Sequence, residues 1–138
     1  MSEPIAYYHR TYDETMALLI EARNYAAFHH ETHQRDIAPA ARLFVSYESL
    51  RVTSRLSQVM AWLLAQKAVD AREISAEHGT GEAFALLDDA ASRDPLGPEN
   101  PMLPSGLRNL LARSHSLYLR VLRLEAQARR NCRQRAAM

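Results

Sequence analysis

Runs of valine, isoleucine and threonine of the kind that build strands are missing from this chain, and so is any long apolar stretch. The longest apolar run, Val59–Ala65, is far too short to span a bilayer. There is a single cysteine, Cys132, so no intrachain disulfide can form, which fits a reducing cytosol. Only four glycines occur, and none opens a phosphate loop: Gly79-Thr-Gly81 lacks the following glycine and lysine and sits in no parallel-sheet pattern. The polar, acidic start MSEPIAYYHRTYDE has none of the character of a signal peptide. These absences point to a soluble, cytoplasmic protein held together by its core. Its 138 residues make one domain, large enough to bury a core without staples.

What the chain has in abundance is alanine, leucine and arginine, the composition of an all-helical protein. Thr11-Tyr-Asp-Glu14 has the form of a capping box and predicts a first helix over about 11–31. Residues 3–10 can prepend a turn after Pro4. The apolar stripe of this helix is Tyr12, Met16, Leu19, Ala22 and Ala26, widened by Leu18 and Tyr25. A second helix over 38–71, opened by Pro39, would be roughly 50 Å long and contains no glycine. One of its seams runs through Ala40, Leu43, Tyr47, Leu50, Ser54, Ser57, Ala61, Leu64 and Ala68. Another runs through Val45, Val52, Leu56, Val59 and Leu63. Together they cover most of the circumference, so this helix reads as the spine of the fold.

Residues 72–104 form a linker of different character. Ile74–His78 reads as a helical remnant and Glu82–Ala91 as a short acidic helix, followed by a stretch from Asp94 to Pro104 with four prolines that cannot be helical. Ser105 then reads as the N-cap of a third long helix over 105–135, with a seam of Leu107, Leu110, Ser114, Leu117, Val121, Leu124 and Ala128. The expected architecture is all-α: a three-helix bundle with an irregular, proline-rich crossover between helices two and three.

No constellation in the chain carries catalysis. Ser114-His115-Ser116 places neighbours about 100° apart on a helix. His29, His30 and His33 are the best metal suspects, but no cysteine or further histidine pair lies nearby in sequence, and the bland reading is a solvated helix end. No cofactor, metal or enzymatic activity is expected. Charge is unevenly spread: residues 1–107 hold nine Lys/Arg against fifteen Asp/Glu, and residues 108–138 hold eight Arg against Glu125 alone. Arg120, Arg123, Arg129, Arg130, Arg133 and Arg135 therefore form a candidate basic patch, open to phosphates, an acidic protein surface or a sister subunit. Helix-end arginines also simply favour the negative end of the dipole. A DNA- or RNA-associated regulator is the alternative function, although no recognition-helix motif or interleaved aromatics accompany the arginines.

On the arc of the second helix left free by its seams lie Phe44, Glu48, Arg51, Arg55, Gln58, Trp62 and Gln66. Phe44 and Trp62 share an azimuth, and aromatic and arginine side chains dominate binding hot spots. Phe44, Arg51, Arg55, Gln58 and Trp62 are thus candidates for a partner or dimer interface, with at least one of the two aromatics expected there. The competing reading is that the crossover or the first helix covers both.

The stretches RTYDETMALLIEARNYAA (10–27) and ESLRVTSRLSQVMAWLLAQKAVDAREIS (48–75) resemble the alphaproteobacterial regulator-of-CtrA-degradation family, RcdA. The resemblance implies a three-helix bundle able to dimerise and a non-enzymatic adaptor. Such adaptors help present CtrA and other protein cargo to the ClpXP protease, with ClpX, a response regulator and a cyclic-di-GMP effector as partners. It brings no catalytic residues to carry over; from the residues themselves no membrane contact is expected, and nucleic acid is the weaker alternative. Family members can extend past the third helix in a flexible tail implicated in delivery.

Overall fold

The computed structural model describes residues 3–32, 38–87, 90–94 and 98–138. Helix α1 spans Glu3–Thr32 and begins well before Thr11. Thr11 does not cap a helix; its buried hydroxyl donates back to the Tyr7 carbonyl at 3.0 Å, and that of Thr15 to the Thr11 carbonyl at 2.7 Å. A hydroxyl satisfied one turn back inside the helix leaves the capping-box sequence with no end to cap. Helix α2 spans Pro39–Asp70 with its proline in the first turn. It closes on Arg72, whose φ of 63° puts it in the left-handed region usually given to glycine. The amides of Arg72 and Glu73 then donate to the carbonyls of Val69 and Ala68, at 3.0 and 2.9 Å.

After α2 come the single-turn helix α3 (Ala76–Gly79), a 3-10 turn at Glu82–Phe84 and the single-turn helix α4 (Ala90–Arg93). The expected acidic helix over Glu82–Ala91 does not form. The Leu86 amide is captured by the Glu125 carboxylate and the Leu87 amide by the Gln58 side chain, both at 2.7 Å, so neither donor is available to a helical turn. Helix α5 spans Ser105–Ala137; Pro104, one residue earlier than expected, is its N-cap.

The three long helices form an all-α bundle. Tyr8 of α1 meets Trp62 near the far end of α2 in an edge-to-face contact of 5.4 Å, while Ala22 and Tyr25 lie by Val52, so α1 and α2 are antiparallel. Helix α5 runs antiparallel to α1, to which it is tied by Arg113–Glu21 at 2.7 Å and Arg120–Glu14 at 2.6 Å. The core unites Leu18 of α1 with Val52, Leu56, Val59, Trp62 and Leu63 of α2 and Leu107, Leu111, Leu117, Tyr118 and Val121 of α5. Each large apolar side chain so buried contributes roughly 1.5–3 kcal/mol. The seam expected for α5 faces this core, and that of α1 does so in large part: Leu18 is buried in it and Tyr12, Leu19, Ala22 and Tyr25 pack against it, but Met16 and Ala26 are exposed and Thr11 and Thr15 point inward.

The crossover runs back along α2 and α5 as a strap. Its backbone is pinned in order by Gln66 on the Gly79 carbonyl, Arg129 on that of Thr80, Glu125 on the Leu86 amide, and Tyr118 on the Leu87 carbonyl. Gly79 is required where the strap starts, because a side chain there would collide with Val69. At the other end sits Arg55, 1% exposed. It donates to the carbonyls of Ser92 (3.0 Å), Asp94 (2.9 Å) and Leu111 (3.2 Å) and to the Ser114 hydroxyl (3.2 Å). Arg51 beside it pairs with Glu48 at 2.7 Å and with Asp94 at 3.3 Å. Burial lowers the Arg55 pKa to about 10, which leaves the guanidinium charged at neutral pH. Arg55→Ala should leave three carbonyls without this donor and cost about 3 kcal/mol in urea unfolding. A loss below about 1 kcal/mol would show that the strap holds without it.

Candidate interaction surfaces

The face proposed from sequence for docking is not a free surface. Trp62 is 1% exposed and packs on Tyr8, and Arg51 and Arg55 are buried beneath the strap. Gln58 is half-buried, its side chain accepting from Leu87 and donating to Ser54. These four residues hold the molecule together. Of the five candidates Phe44 alone is exposed: it lies toward the start of α2, beyond Glu48 and Arg51, where the described strap contacts end.

The inversion has a counterpart on the opposite side of α2. Leu43, Tyr47, Leu50 and Leu64, assigned from periodicity to the core, are 74%, 53%, 69% and 48% exposed. Ser54, Ser57 and Ala61 complete this outward seam. Between Arg42 and Lys67 the only charged side chains are Glu48, Arg51 and Arg55, and all three are buried, so the outward face carries no charge. A solvated helix face is normally charged, and an uncharged apolar one of this length marks an interaction surface. A seam centred on two serines and an alanine packs a core poorly, and the charges of this stretch lie on the other side.

The arginines of α5 do not form one patch. Arg129 turns toward the strap, paired with Glu125 at 3.4 Å. Arg120 pairs with Glu14 across the bundle, and this contact raises its pKa, with Tyr7 adding to the shift. Arg123 and Arg130 are exposed and, with Arg120, line an open groove beside Tyr7 of α1. Arg133 and Arg135 are exposed near the C-terminal end of α5. Glu125, the sole acid of this stretch, was not singled out from sequence, yet it is buried and anchors the strap; its place one turn from Val121 on the apolar seam was the available clue.

Among the described residues no three of His, Cys, Asp or Glu stand together as a metal site. His33 and the side chains of His29 and His30 lie outside the described residues. Among the described residues no helix is long and apolar enough to cross a membrane.

Comparison with known proteins decides the family. The family model described as a protein of unknown function, DUF1465, matches residues 5–137. The crystal structure of RcdA from Caulobacter crescentus CB15 is 34% identical, covers 93% of this chain and 92% of that one, and superimposes with a TM-score of 0.70. The chain belongs to the RcdA family. No protein of curated function matches it. Because the likeness to RcdA spans nearly both chains, the bundle and its crossover together are the unit shared with RcdA.

The two faces of α2 make opposite predictions for stability. Trp62→Ala should cost about 3–5 kcal/mol in urea unfolding through lost burial and a cavity. Leu50→Ser, measured at protein concentrations low enough to suppress association, should stay within about 0.5 kcal/mol of the parent. Equal losses at the two sites would contradict this orientation of α2.

Proposed function

We propose that this member of the RcdA family is a non-enzymatic, cytoplasmic adaptor that promotes degradation of CtrA-type cell-cycle regulators by the ClpXP protease. The observation that carries the reading is the likeness to RcdA, 34% identical over 93% of the chain. An adaptor of this kind holds cargo near the protease and raises its effective concentration without performing chemistry. ClpX, a response regulator and a cyclic-di-GMP effector are the partners this reading brings with it. The molecule's resources agree with such a role: its notable surfaces are an uncharged helical seam and an arginine-lined groove, both suited to binding.

The reading includes a homodimer, and the outward seam of α2 supports it better than the Phe44–Trp62 face. The seam is self-complementary when two copies of α2 run antiparallel. Leu50 then meets Ala61, Tyr47 meets Leu64, Leu43 meets Ala68, and Ser54 meets Ser57 at the centre. Leu50 and Leu43 fall opposite alanines and the two serines meet at the centre, while Tyr47 and Leu64 set large against large on either side. A nucleic-acid regulator has less support, since Arg120 and Arg129 are already paired and Arg133 and Arg135 lie outside the groove that Arg123 and Arg130 line.

The decisive experiment is reconstituted ClpXP degradation of a CtrA-type cargo with the response regulator and effector present. Addition of this protein should accelerate cargo loss, and a pull-down should retain ClpX-bound complexes. Absence of both acceleration and retention would sink the adaptor reading. Sedimentation at micromolar concentration should give a dimer for the parent chain and a monomer for Leu50→Glu/Leu64→Glu. A parent chain that sediments as a monomer would remove the seam as a subunit interface.

A further inference from the structure

Between the first turns of α1 and the second half of α5 lies an open groove of about 540 Å³. Tyr7 lines it from α1, and Arg120, Arg123, Leu124, Ala126, Gln127 and Arg130 line it from α5. At its edge Arg120 already holds one carboxylate, that of Glu14, at 2.6 Å. Arg123 and Arg130 are exposed and show no ion pair among the described residues. They stand seven positions apart with Gln127 between them, so their Cα atoms are separated by roughly 10 Å along one row of the helix. Such a row offers two guanidinium forks at an interval along the helix. It matches carboxylates carried at intervals along a peptide, with each guanidinium offering a planar fork to one of them.

The rest of the lining favours a protein segment over a nucleic acid. Leu124 and Ala126 place apolar surface among the guanidiniums, where a peptide can seat an aliphatic side chain. A single strand of nucleic acid gains affinity by stacking bases on aromatic faces. Tyr7 is the one aromatic here, and Arg10 already lies over its ring, 5.6 Å from the centroid. We propose that this groove binds an acidic peptide segment of a partner protein. Arg123 and Arg130 hold its carboxylates, and an apolar side chain of the peptide lies over Ala126, on the same flank of α5 as the two arginines. The site lies on different helices and residues from the α2 seam, so both can be occupied at once. The proposal deepens the adaptor reading and rests on it for the partner's being a protein.

Fluorescence anisotropy on the full chain tests the groove directly. The probe is a short fluorescein-labelled peptide with glutamates spaced three and four apart around one leucine. The same peptide with glutamine for glutamate and a labelled single-stranded oligonucleotide serve as comparisons. The acidic peptide should bind, more weakly as salt rises, and the glutamine version should not. Arg123→Gln/Arg130→Gln should weaken binding about tenfold, in line with the loss of two charge-assisted contacts. Arg133→Gln/Arg135→Gln, which removes the same charge outside the groove, should leave binding unchanged. Both pairs alter exposed side chains, and unchanged thermal melts would confirm intact folds.

Equal weakening by the two pairs would reduce the effect to bulk charge and overturn the proposal. So would tighter binding of the oligonucleotide, absence of peptide binding, or low-salt self-association abolished by Arg123→Gln/Arg130→Gln, which would give the groove to a second copy. The groove and the adaptor role fail separately. Lost peptide binding with cargo degradation intact removes only the groove, whereas intact peptide binding without accelerated degradation removes only the adaptor role.

Discussion

A guanidinium buried between two helices and a loop governs this architecture. Arg55 stands on α2, reaches α5 through the Leu111 carbonyl and Ser114, and closes on the crossover through the carbonyls of Ser92 and Asp94. Burying an arginine is costly unless its donors are satisfied, and here the irregular backbone of the crossover supplies acceptors that a helix would have used internally. The arrangement solves two difficulties together. The charge finds partners, and a proline-rich segment that cannot pair its own carbonyls finds a donor.

That bargain determines which side of α2 remains available. With the strap laid over Arg51, Arg55 and Gln58, and α1 over Trp62, the helix has one face left, the uncharged seam from Leu43 to Leu64. Besides the apolar seam it buries in the core, α2 keeps its charges inside and turns a second apolar seam outward, where an ordinary amphipathic helix would carry its charges. Such an inversion is stable in a monomer only because the inward polar groups are paired. The outward apolar ones lower no energy until something covers them.

Much of the fold was legible in the sequence, and the orientation of its central helix was not. Proline placement and near-heptad spacing located the three long helices, and the α5 seam faces the core as read. On α2 apolar residues occupy nearly the whole circumference, so periodicity had no contrast with which to choose a face. The choice was made by contacts distant in sequence, such as Arg55 with Ser92 and Gln58 with Leu87. Local pattern carries no trace of these. The capping box at Thr11 misled for a related reason: the same hydroxyl that caps a helix end also bonds back within a helix that continues. Among the candidate site residues, Arg123 and Arg130 were recognisable by charge. The groove beside them was not, because Tyr7 reaches it from the opposite end of the chain.

The strap is gripped mainly by its main chain. Arg55, Gln66, Tyr118 and Glu125 engage carbonyls and an amide of the crossover, atoms that every residue possesses. Among the described crossover positions, identity therefore matters at few, chiefly Gly79 at the tight start, the inward Leu86 and Leu103, the buried Ser92, and Asp94, whose carboxylate pairs with Arg51. Exposed positions such as Glu82, Ala83 and Leu87 can change their side chains while the backbone keeps its course. A lineage can thus rewrite the outer chemistry of this strip, residue by residue, without renegotiating the bundle beneath it.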